Sequence, residues 1–421
     1  MTLTQWKSKS LGYILEKVVG GGTPSKAKPQ YWDGDIPWAS VKDLSSTKLD
    51  DTADKISEEG LNNSASNLIP AQTIVIPTRM ALGKVAITTQ AMAINQDLKA
   101  LFPSKEVCKS YLFQWLIFHA EQIASLGSGS TVKGIRLEQL KKIPFSYPTL
   151  KEEQQKIAEI LSTVDKKIDL IDQKIAETEK LKTGLMQKLF SVGVGVQDEN
   201  GNWHAHTEFH SIKDVTLPVG WKLDNLGTLL EKIVGGGTPS KAKPEYWGGS
   251  IPWASVKDFK KPWLSSDCIM DTITNEGLKN SSANLIEPDV VVIPTRMALG
   301  KVAMTKGSIA INQDLKALYP KNIIDNLFLF YWLQHQASKI ESLGSGSTVA
   351  GIRLEILKSI DCLYPESISE QKQISRILKC TDSKIDLLIE QKVVTQKLKK
   401  GLMQKLLTGK WRVPVEETEA A

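Results

Sequence analysis

The sequence contains two copies of one long pattern, and this duplication limits the folds that the chain can adopt. Val18–Asp43 recurs as Ile233–Asp258 at an offset of 215 residues, and Ile76–Ala86 recurs as Ile293–Ala303 at an offset of 217 residues. A solenoid needs more repeats than two to bury a continuous core. We therefore expect a duplicated globular domain.

A long segment with a coiled-coil pattern follows each copy. EQQKIAEIL at Glu153–Leu161 recurs as EQKQISRIL at Glu370–Leu378, and LKTGLMQKL at Leu181–Leu189 recurs as LKKGLMQKL at Leu398–Leu406. Apolar residues alternate four and three positions apart, which is typical of a narrow helical seam. The pattern predicts two long helices that bury their seams against each other, and it leaves parallel and antiparallel packing open. The seam residues are Ile157, Leu161, Val164, Ile168, Ile171 and Ile175 in the first segment and Ile374, Leu378, Ile385 and Leu388 in the second.

Composition indicates the class of protein and its compartment. The 421 residues, 41% of them apolar and 24% charged, are enough for two or three domains of an ordinary globular protein. The sequence has no apolar run of membrane-span length and no signal-peptide core, so we expect a cytoplasmic protein without membrane contact. The four cysteines are scattered, which predicts reduced thiols rather than disulfides or a zinc site. The net charge of +6 is compatible with a polyanionic partner but is weak support for one.

Local patterns within each copy predict both strands and helices, so the expected fold class is α+β. Thr73–Pro77 and Lys84–Thr88 predict a hairpin, and Lys109–Leu126 has helical spacing. Ser191–Asp214 is rich in Gly, His and Asn, and we interpret it as an exposed connector. Its three histidines, His204, His206 and His210, are interpreted as surface residues rather than metal ligands. The predicted organisation is a globular domain at 1–148, a long helix at 149–190, a connector at 191–215, a second globular domain at 216–365, a second long helix at 366–408 and a mobile tail at 409–421.

The sequence lacks the motifs of several common catalytic classes. GGGTPSK, at Gly20–Lys26 and again at Gly235–Lys241, superficially resembles a phosphate-binding loop but does not match GxxxxGK[ST]. There is no G-x-S-x-G turn, H-E-x-x-H pair, Cys-x-x-Cys pair or Asn-Pro-Pro-Tyr motif of adenine methyltransferases. We therefore expect a non-catalytic chain that holds no cofactor or metal of its own.

A recurring set of basic, small and amide residues on the predicted loops suits a nucleic-acid partner. Lysines supply phosphate contacts, Arg79 can bind guanine through two hydrogen bonds, and Asn95 and Gln96 suit adenine. A structural alternative stays open, in which the amides close a turn and the loop lysines are solvated. The predicted DNA-binding residues are Gly21, Gly22, Thr23, Ser25, Lys26, Lys28, Ser40, Lys42, Thr78, Arg79, Lys84, Asn95, Gln96, Ser128, Gly129, Ser130 and Thr131 in the first copy, and Gly236, Gly237, Thr238, Ser240, Lys241, Lys243, Ser255, Lys257, Thr295, Arg296, Lys301, Asn312, Gln313, Ser345, Gly346, Ser347 and Thr348 in the second.

Several motifs occur together in an order that carries more information than any one of them. They are the GGGTPS…YW…IPWASVKD opening, IPTRMALGKVA followed by INQ, the GSGSTVKGI loop before KKIPFSYPTLKEEQQKIAEIL, and HTEFHS…LPVGW at His206–Trp221. In this combination the chain resembles the specificity subunit of type I restriction-modification enzymes over nearly its whole length. The resemblance implies two target-recognition domains, joined by two long helices that form an antiparallel coiled coil with internal pseudo-twofold symmetry.

The resemblance also implies a division of labour among subunits. In that family each recognition domain reads half of a split double-stranded DNA site, and the helices space the domains and dock two adenine-methylating (M) subunits that use S-adenosylmethionine. Where a restriction enzyme is formed, two motor-nuclease (R) subunits complete it, and their ATP and Mg²⁺ belong to those partners. Here the recognition domains match each other unusually well, which predicts a palindromic or near-palindromic target. The alternative is a non-DNA scaffold that binds a protein or a sugar.

Overall fold

The computed structural model describes residues 5–129, 133–212, 215–345 and 350–415. The chain forms two units, one made of Met1–Gln173 with Ile389–Ala421 and the other of Lys174–Leu388. Each unit contains one copy of the sequence repeat. In the described part of the chain, no helix combines the length and the apolar character needed to cross a membrane.

The first copy folds into three β-sheets with short helices. Its strands are β1 (Trp6–Ser10), β2 (Leu15–Gly20), β3 (Ile36–Ala39), β4 (Lys48–Leu49), β5 (Asp54–Ile56), β6 (Asn67–Ile69), β7 (Ile74–Pro77), β8 (Ala86–Thr88), β9 (Met92–Ile94), β10 (Leu98–Pro103) and β11 (Pro144–Pro148). Its helices are α1 (Leu11–Ile14), α2 (Glu58–Asn62), α3 (Lys109–Phe118), α4 (Ala120–Ser125) and α5 (Leu137–Lys141). The sheet orders are β2-β10-β7-β8-β4, β5-β3-β9-β6 and β1-β11.

The centre of the five-stranded sheet follows from its apolar sequence. All four residues of β7 are buried, as expected for a strand that is covered on both faces. β7 pairs antiparallel with β8, with Ile74 opposite Ile87, and this confirms the predicted hairpin. Tyr111, Trp115 and Phe145 form the centre of the apolar core beside this sheet.

The helix predicted over Lys109–Leu126 is broken in two, which corrects the prediction. His119, at φ −94° and ψ 15°, leaves the helical region between α3 and α4. Its ring stacks on Trp115 with the ring centroids 3.8 Å apart. Burial lowers the pKa of His119. Since no Gly or Pro lies at this point, apolar spacing alone could not locate the break.

The second copy repeats this architecture after the first long helix and a connector. The helix is α6 (Lys151–Val192), and the connector strands are β12 (Val196–Gln197), β13 (Trp203–His204), β14 (Phe209–Ile212) and β15 (Val215–Pro218). The strands of the second copy are β16 (Trp221–Asn225), β17 (Leu230–Gly235), β18 (Trp247–Ala254), β19 (Trp263–Leu264), β20 (Thr272–Ile273), β21 (Asn284–Ile286), β22 (Val291–Pro294), β23 (Ala303–Thr305), β24 (Ile309–Ile311), β25 (Leu315–Pro320) and β26 (Asp361–Pro365). The helices are α7 (Leu226–Leu229), α8 (Asn275–Lys279), α9 (Asn326–His335), α10 (Ala337–Ser342), α11 (Leu354–Lys358) and α12 (Ile368–Leu406). The sheet orders β17-β25-β22-β23-β19, β20-β18-β24-β21 and β16-β26 match those of the first copy strand for strand.

Two ion pairs within the first unit show in which direction the two long helices run relative to each other. Lys399 lies 2.6 Å from Asp165, and Lys392 lies 2.6 Å from Asp172. A later residue of α6 thus meets an earlier residue of α12, so the helices are antiparallel. Together with the two matching domains, this confirms the predicted fold class.

The coiled-coil seam also contributes to the core of each unit. Ile374 and Leu378 are fully buried in the apolar cluster of the second unit, as Ile157 and Leu161 are in that of the first. α6 begins and ends two residues later than the predicted 149–190, and α12 lies within the predicted 366–408. A repeating apolar pattern therefore locates a helix better than it locates the residues at which the helix ends.

Part of the connector is buried, which corrects its interpretation as an exposed segment. The Glu370 carboxylate accepts hydrogen bonds from the Val194 and Gly195 amides at 3.0 and 3.1 Å and from Trp221 Nε1 at 3.3 Å. His206 Nε2 lies 2.9 Å from the same carboxylate, and the His206 side chain is only 7% exposed. His206 is therefore a structural residue.

Candidate nucleic-acid interface

The loop after β2 lies directly against the end of β9, an inner strand of the four-stranded sheet. The Gly22 amide donates a hydrogen bond to the Ile94 carbonyl oxygen at 3.1 Å. A Cβ atom at Gly21 would lie 1.8 Å from that same oxygen, and one at Gly22 would lie 2.5 Å from the Ala65 carbonyl carbon. Only glycine permits such an approach. The glycine run therefore brings the loop onto the sheet.

Two tryptophans form an apolar wall beside this loop. Trp32 and Trp38 meet edge to face, with ring centroids 5.1 Å apart and planes at 81°. Trp38 is buried, and its Nε1 donates to the Gly22 carbonyl at 3.0 Å and to Ser66 Oγ at 3.1 Å. Trp32 is half-buried and donates to the Ser25 carbonyl at 3.3 Å. The pair fixes the loop and leaves part of Trp32 accessible.

A cleft of about 1110 Å³ opens between the glycine loop and the sheet. It brings together eight predicted residues of the first copy: Gly21, Gly22, Thr23, Lys26, Ser40, Lys42, Asn95 and Gln96. The side chains of Lys26 and Lys42 are exposed and have no hydrogen-bond or ion-pair partner among the described residues. The cleft therefore combines an apolar wall with two exposed lysines and two aspartates, Asp33 and Asp54, and its lysines and tryptophans suit a phosphate-bearing ligand with planar rings.

A second hollow, of about 470 Å³, contains the predicted arginine and shares Gln96 with the cleft. The Arg79 side chain is 67% exposed, and its nearest guanidinium nitrogen lies 3.8 Å from Asp97 Oδ1. This distance is too long for a hydrogen bond. Asp97 Oδ1 is buried and accepts no hydrogen bond from any described residue. A weak ion pair thus positions the Arg79 side chain, and the N–H groups of its guanidinium stay available to donate hydrogen bonds to a ligand.

The backbone after Arg79 adopts an uncommon conformation. Met80 and Ala81 have φ values of 54° and 31°, in the left-handed region that non-glycine residues rarely adopt. The Met80 amide donates to the Lys133 carbonyl at 3.0 Å, which holds the turn in place. The turn leaves the Met80 side chain exposed beside Arg79. Backbone strain of this kind is concentrated at ligand-binding sites.

Several predicted contact residues already have partners within the protein. Asn95 is buried, and its Oδ1 accepts hydrogen bonds from the Asp97 and Leu98 amides, both at 3.1 Å. Lys84 Nζ donates to the Leu44 carbonyl at 2.7 Å. The structural alternative is therefore favoured for these two side chains. Other predicted residues with internal hydrogen bonds are Thr23 with Gln96, Lys28 with Tyr31, Ser40 with Asp43, and Thr78 with the Asp97 carbonyl.

The second copy places its predicted residues in the same way. A cleft of about 630 Å³ is lined by Trp247 and Trp253, and a hollow of about 470 Å³ contains Arg296. The Arg296 side chain is 69% exposed, and its guanidinium lies 4.0 Å from Asp314. The predicted residues that line these two spaces are Thr238, Lys241, Ser255, Lys257, Thr295, Arg296, Asn312, Gln313 and Ser345. Gly236 and Gly237 occupy the glycine loop, Lys243 bonds Tyr246, and Lys301 donates to the Phe259 carbonyl.

The small-residue loops predicted to bind phosphate are only partly described. Ser128 and Gly134 exchange two backbone hydrogen bonds, and Ser345 and Gly351 do the same in the second copy. Gly129 has a φ of 125°, which favours glycine. Ser130, Thr131, Gly346, Ser347 and Thr348 lie outside the described residues.

Sequence reasoning missed two arginines. Arg136 lines the hollow of Arg79, and Arg353 lines the hollow of Arg296. Each lies just before a short helix, α5 or α11, in the tetrapeptide IRLE that recurs in the two copies. The recurrence of this arginine-containing tetrapeptide was the available signal. With Arg136 and Arg353, each hollow is lined by two arginines.

Comparison with known proteins gives a consistent picture over both units. A family model described as the type I restriction modification DNA specificity domain matches residues 4–180 and 218–395. The type I restriction enzyme MjaIX specificity subunit of Methanocaldococcus jannaschii is 25% identical over 435 residues, which cover 97% of this chain and 94% of that protein. A specificity subunit of an Escherichia coli type I restriction enzyme is 35% identical over 193 residues, 44% of this chain and 46% of that protein. The crystal structure of a type I restriction-modification S subunit from M. genitalium covers 96% of both chains with a TM-score of 0.59 and 18% identity, which shows a shared fold.

Proposed function

Because the chain belongs to the family of type I restriction-modification specificity subunits, we propose that its two globular domains each read one half of a split double-stranded DNA site. The chain acts as the recognition subunit, and the chemistry is carried out by its partners. Adenine methylation with S-adenosylmethionine belongs to M subunits, and ATP- and Mg²⁺-dependent cleavage belongs to R subunits where they are present.

One observation supports this proposal above the others. In both copies an exposed arginine, Arg79 or Arg296, lies in a hollow next to a lysine-lined cleft. Arginine binds guanine O6 and N7 with two parallel hydrogen bonds, whereas lysines attract the phosphates of any sequence. The pairing of these two elements in each domain is the arrangement that a sequence-reading protein needs.

The remaining predicted contacts are reassigned by their geometry. Lys26 and Lys42, with Lys241 and Lys257 in the second copy, are the proposed phosphate contacts, because these exposed lysines line the clefts and their side chains have no partner among the described residues. Asn95 acts as a structural residue in this scheme, since a base contact would break two buried hydrogen bonds.

The long helices supply the surface on which partner subunits dock. Soluble proteins seldom leave many large apolar side chains exposed on one element unless another surface covers them. Both helices carry such side chains, and two M subunits are the proposed partners. The exposed residues include Leu170 and Leu181 of α6 and Leu387, Val394 and Leu398 of α12.

The near-identity of the two domains predicts the form of the target. If two equivalent recognition domains contact opposite strands, each recognises the same base sequence on its own strand. The two halves of the site should therefore form a palindrome or come close to one. The unread gap between the halves is set by the helices.

Sequencing of methylated adenines in genomic DNA tests the proposal most directly. Cells that produce the full chain with its methylating subunits should contain one split motif, and cells without the chain should lack it. Binding of the purified complex to a duplex with that motif should weaken steeply as salt rises, because phosphate contacts release counterions. Absence of any motif, or binding that is indifferent to salt, would favour the non-DNA scaffold.

A further inference from the structure

The positions that line the first cleft have nearly the same residues in the second copy, and nine of their counterparts line the second cleft as well. Of the fourteen residues that line the first cleft, twelve are identical at the corresponding positions of the second copy. The exceptions are Asp33, which is replaced by Gly248, and Ala65, which is replaced by Ser282. Only the exchange at Asp33 alters charge. At this one position the first copy has a carboxylate in its cleft where the second copy has a glycine, whereas Asp54 and its counterpart Asp271 line both clefts.

The backbone differs at the same place. Trp32 has a ψ of −3° and is followed by a turn, so β3 begins only at Ile36. Trp247 is extended, with a ψ of 162°, and Gly248 has a φ of +76° within the longer strand β18. The exchange of Asp for Gly is thus accompanied by a different backbone conformation beside the cleft. The first cleft is also the larger, with a volume of about 1110 Å³ compared with about 630 Å³ for the second.

No contact in the described part of the chain accounts for the Asp33 carboxylate. Asp33 is exposed, and no described residue forms a hydrogen bond or ion pair with it. It is not a phosphate contact either, because a carboxylate repels phosphate. A carboxylate can only accept hydrogen bonds, so its ligand must present a donor. On the major-groove edge of DNA, that donor is an exocyclic amino group, and cytosine N4 is the usual partner of an acidic side chain.

We propose that Asp33 is a specificity-determining residue that reads a cytosine amino group in the half-site of the first domain, where the second domain, with Gly248, accepts any base. The proposal depends on the DNA-reading function proposed above and refines it. The target is then not a strict palindrome, because its two halves differ at the base pair that faces residue 33 in one domain and residue 248 in the other.

The sequence offers a matched control two residues away. Asp35 is also exposed, carries the same charge and is replaced in the second copy by Ser250, but it does not line the cleft. Asp33→Gly and Asp35→Ser each give the first copy the residue of the second. Both variants remove one negative charge, so a general change in DNA affinity should be the same in both.

The experiment compares methylated-adenine motifs in cells that produce the wild-type chain, Asp33→Gly or Asp35→Ser with the same methylating subunits. The wild-type and Asp35→Ser motifs should require cytosine at one position of one half. In Asp33→Gly that position should lose its preference, by roughly 5- to 150-fold, the range of one good base contact. The other half should be unchanged, which also shows that the variant folds and assembles.

Two outcomes overturn the inference while the proposed function stands. One is an identical motif in Asp33→Gly and the wild type. The other is an equal fall in methylation at every site, which would mean that Asp33 affects DNA affinity only through its charge and does not read a base. If the wild-type chain yields no split motif at all, the DNA-reading function itself is wrong, and the inference fails with it.

Discussion

Glu370 provides a direct test of how the second unit holds its connector. Its side chain is only 3% exposed and binds four groups from two parts of the unit, namely two amides and His206 of the connector and the Trp221 indole of β16. Glu370→Ala removes the acceptor and leaves these donors without a partner. We expect this single change to destabilise the second unit strongly.

The size of the effect follows from the burial of this cluster. Each buried donor left without an acceptor costs about 1–3 kcal/mol, and Glu370→Ala leaves several such donors. We take about 3–5 kcal/mol as the expected loss, since water can enter and satisfy some of the donors. At about 2–4 °C per kcal/mol for a domain of this size, Tm should fall by roughly 6–20 °C.

Differential scanning calorimetry of the full chain measures this change. Glu366→Ala is the matched control, because Glu366 lies four residues earlier but is about half exposed and pairs only with the exposed Lys222. Exposed ion pairs contribute about 0–1 kcal/mol, so the control should scarcely move Tm. If Glu370→Ala behaves like the control, the buried carboxylate does not stabilise the unit as argued.

The remaining predictions concern base reading, spacing and pH. Changing Arg79 and Arg296 together to alanine should remove about 1–3 kcal/mol of base discrimination in each half-site, seen as a relaxed methylation motif, and an unchanged motif would remove both from the base-reading set. Inserting one heptad into both α6 and α12 should lengthen the unread gap of the motif, and an unaltered gap would refute the role of the helices as spacers. Burial and a hydrogen bond to Glu106 raise the pKa of Tyr147 from 10.0 to about 12, so the stability that it contributes should be present below pH 10 and be lost as pH rises toward 12. Urea titrations should show a weaker alkaline loss of stability in Tyr147→Phe, and an equal loss in both proteins would contradict this role.

Features that repeat at regular spacing were predictable from the sequence. The seam through Ile157 and Leu161 predicted the long helices, and the apolar run at Ile74 predicted one strand of a hairpin, because both patterns reflect burial of one element against its neighbours. The antiparallel direction was not contained in the pattern itself. It depends on which charges meet across the two helices, such as Asp165 with Lys399, and that needs coordinates.

The candidate site was predictable in composition but not in detail. Arg79 and the cleft lysines were selected by residue type, and the structure brings them together. Asn95 was selected on the same basis, yet its side chain closes a turn, because an amide serves a backbone and a base edge equally well. The roles of Glu370 and His206 were missed, since their contact joins positions far apart in the chain.

The first unit contains segments from both ends of the chain, and this determines when during synthesis it can complete its fold. Its core contains Met403, Leu406 and Leu407, and Glu153 at the start of α6 is bound by Arg412. During synthesis, a chain that has reached only Leu388 has every segment of the second unit but lacks the C-terminal part of α12, which belongs to the first unit. The domain that leaves the ribosome first is therefore completed after the second, and its apolar core stays open until the segment that contains Met403, Leu406 and Leu407 has been made.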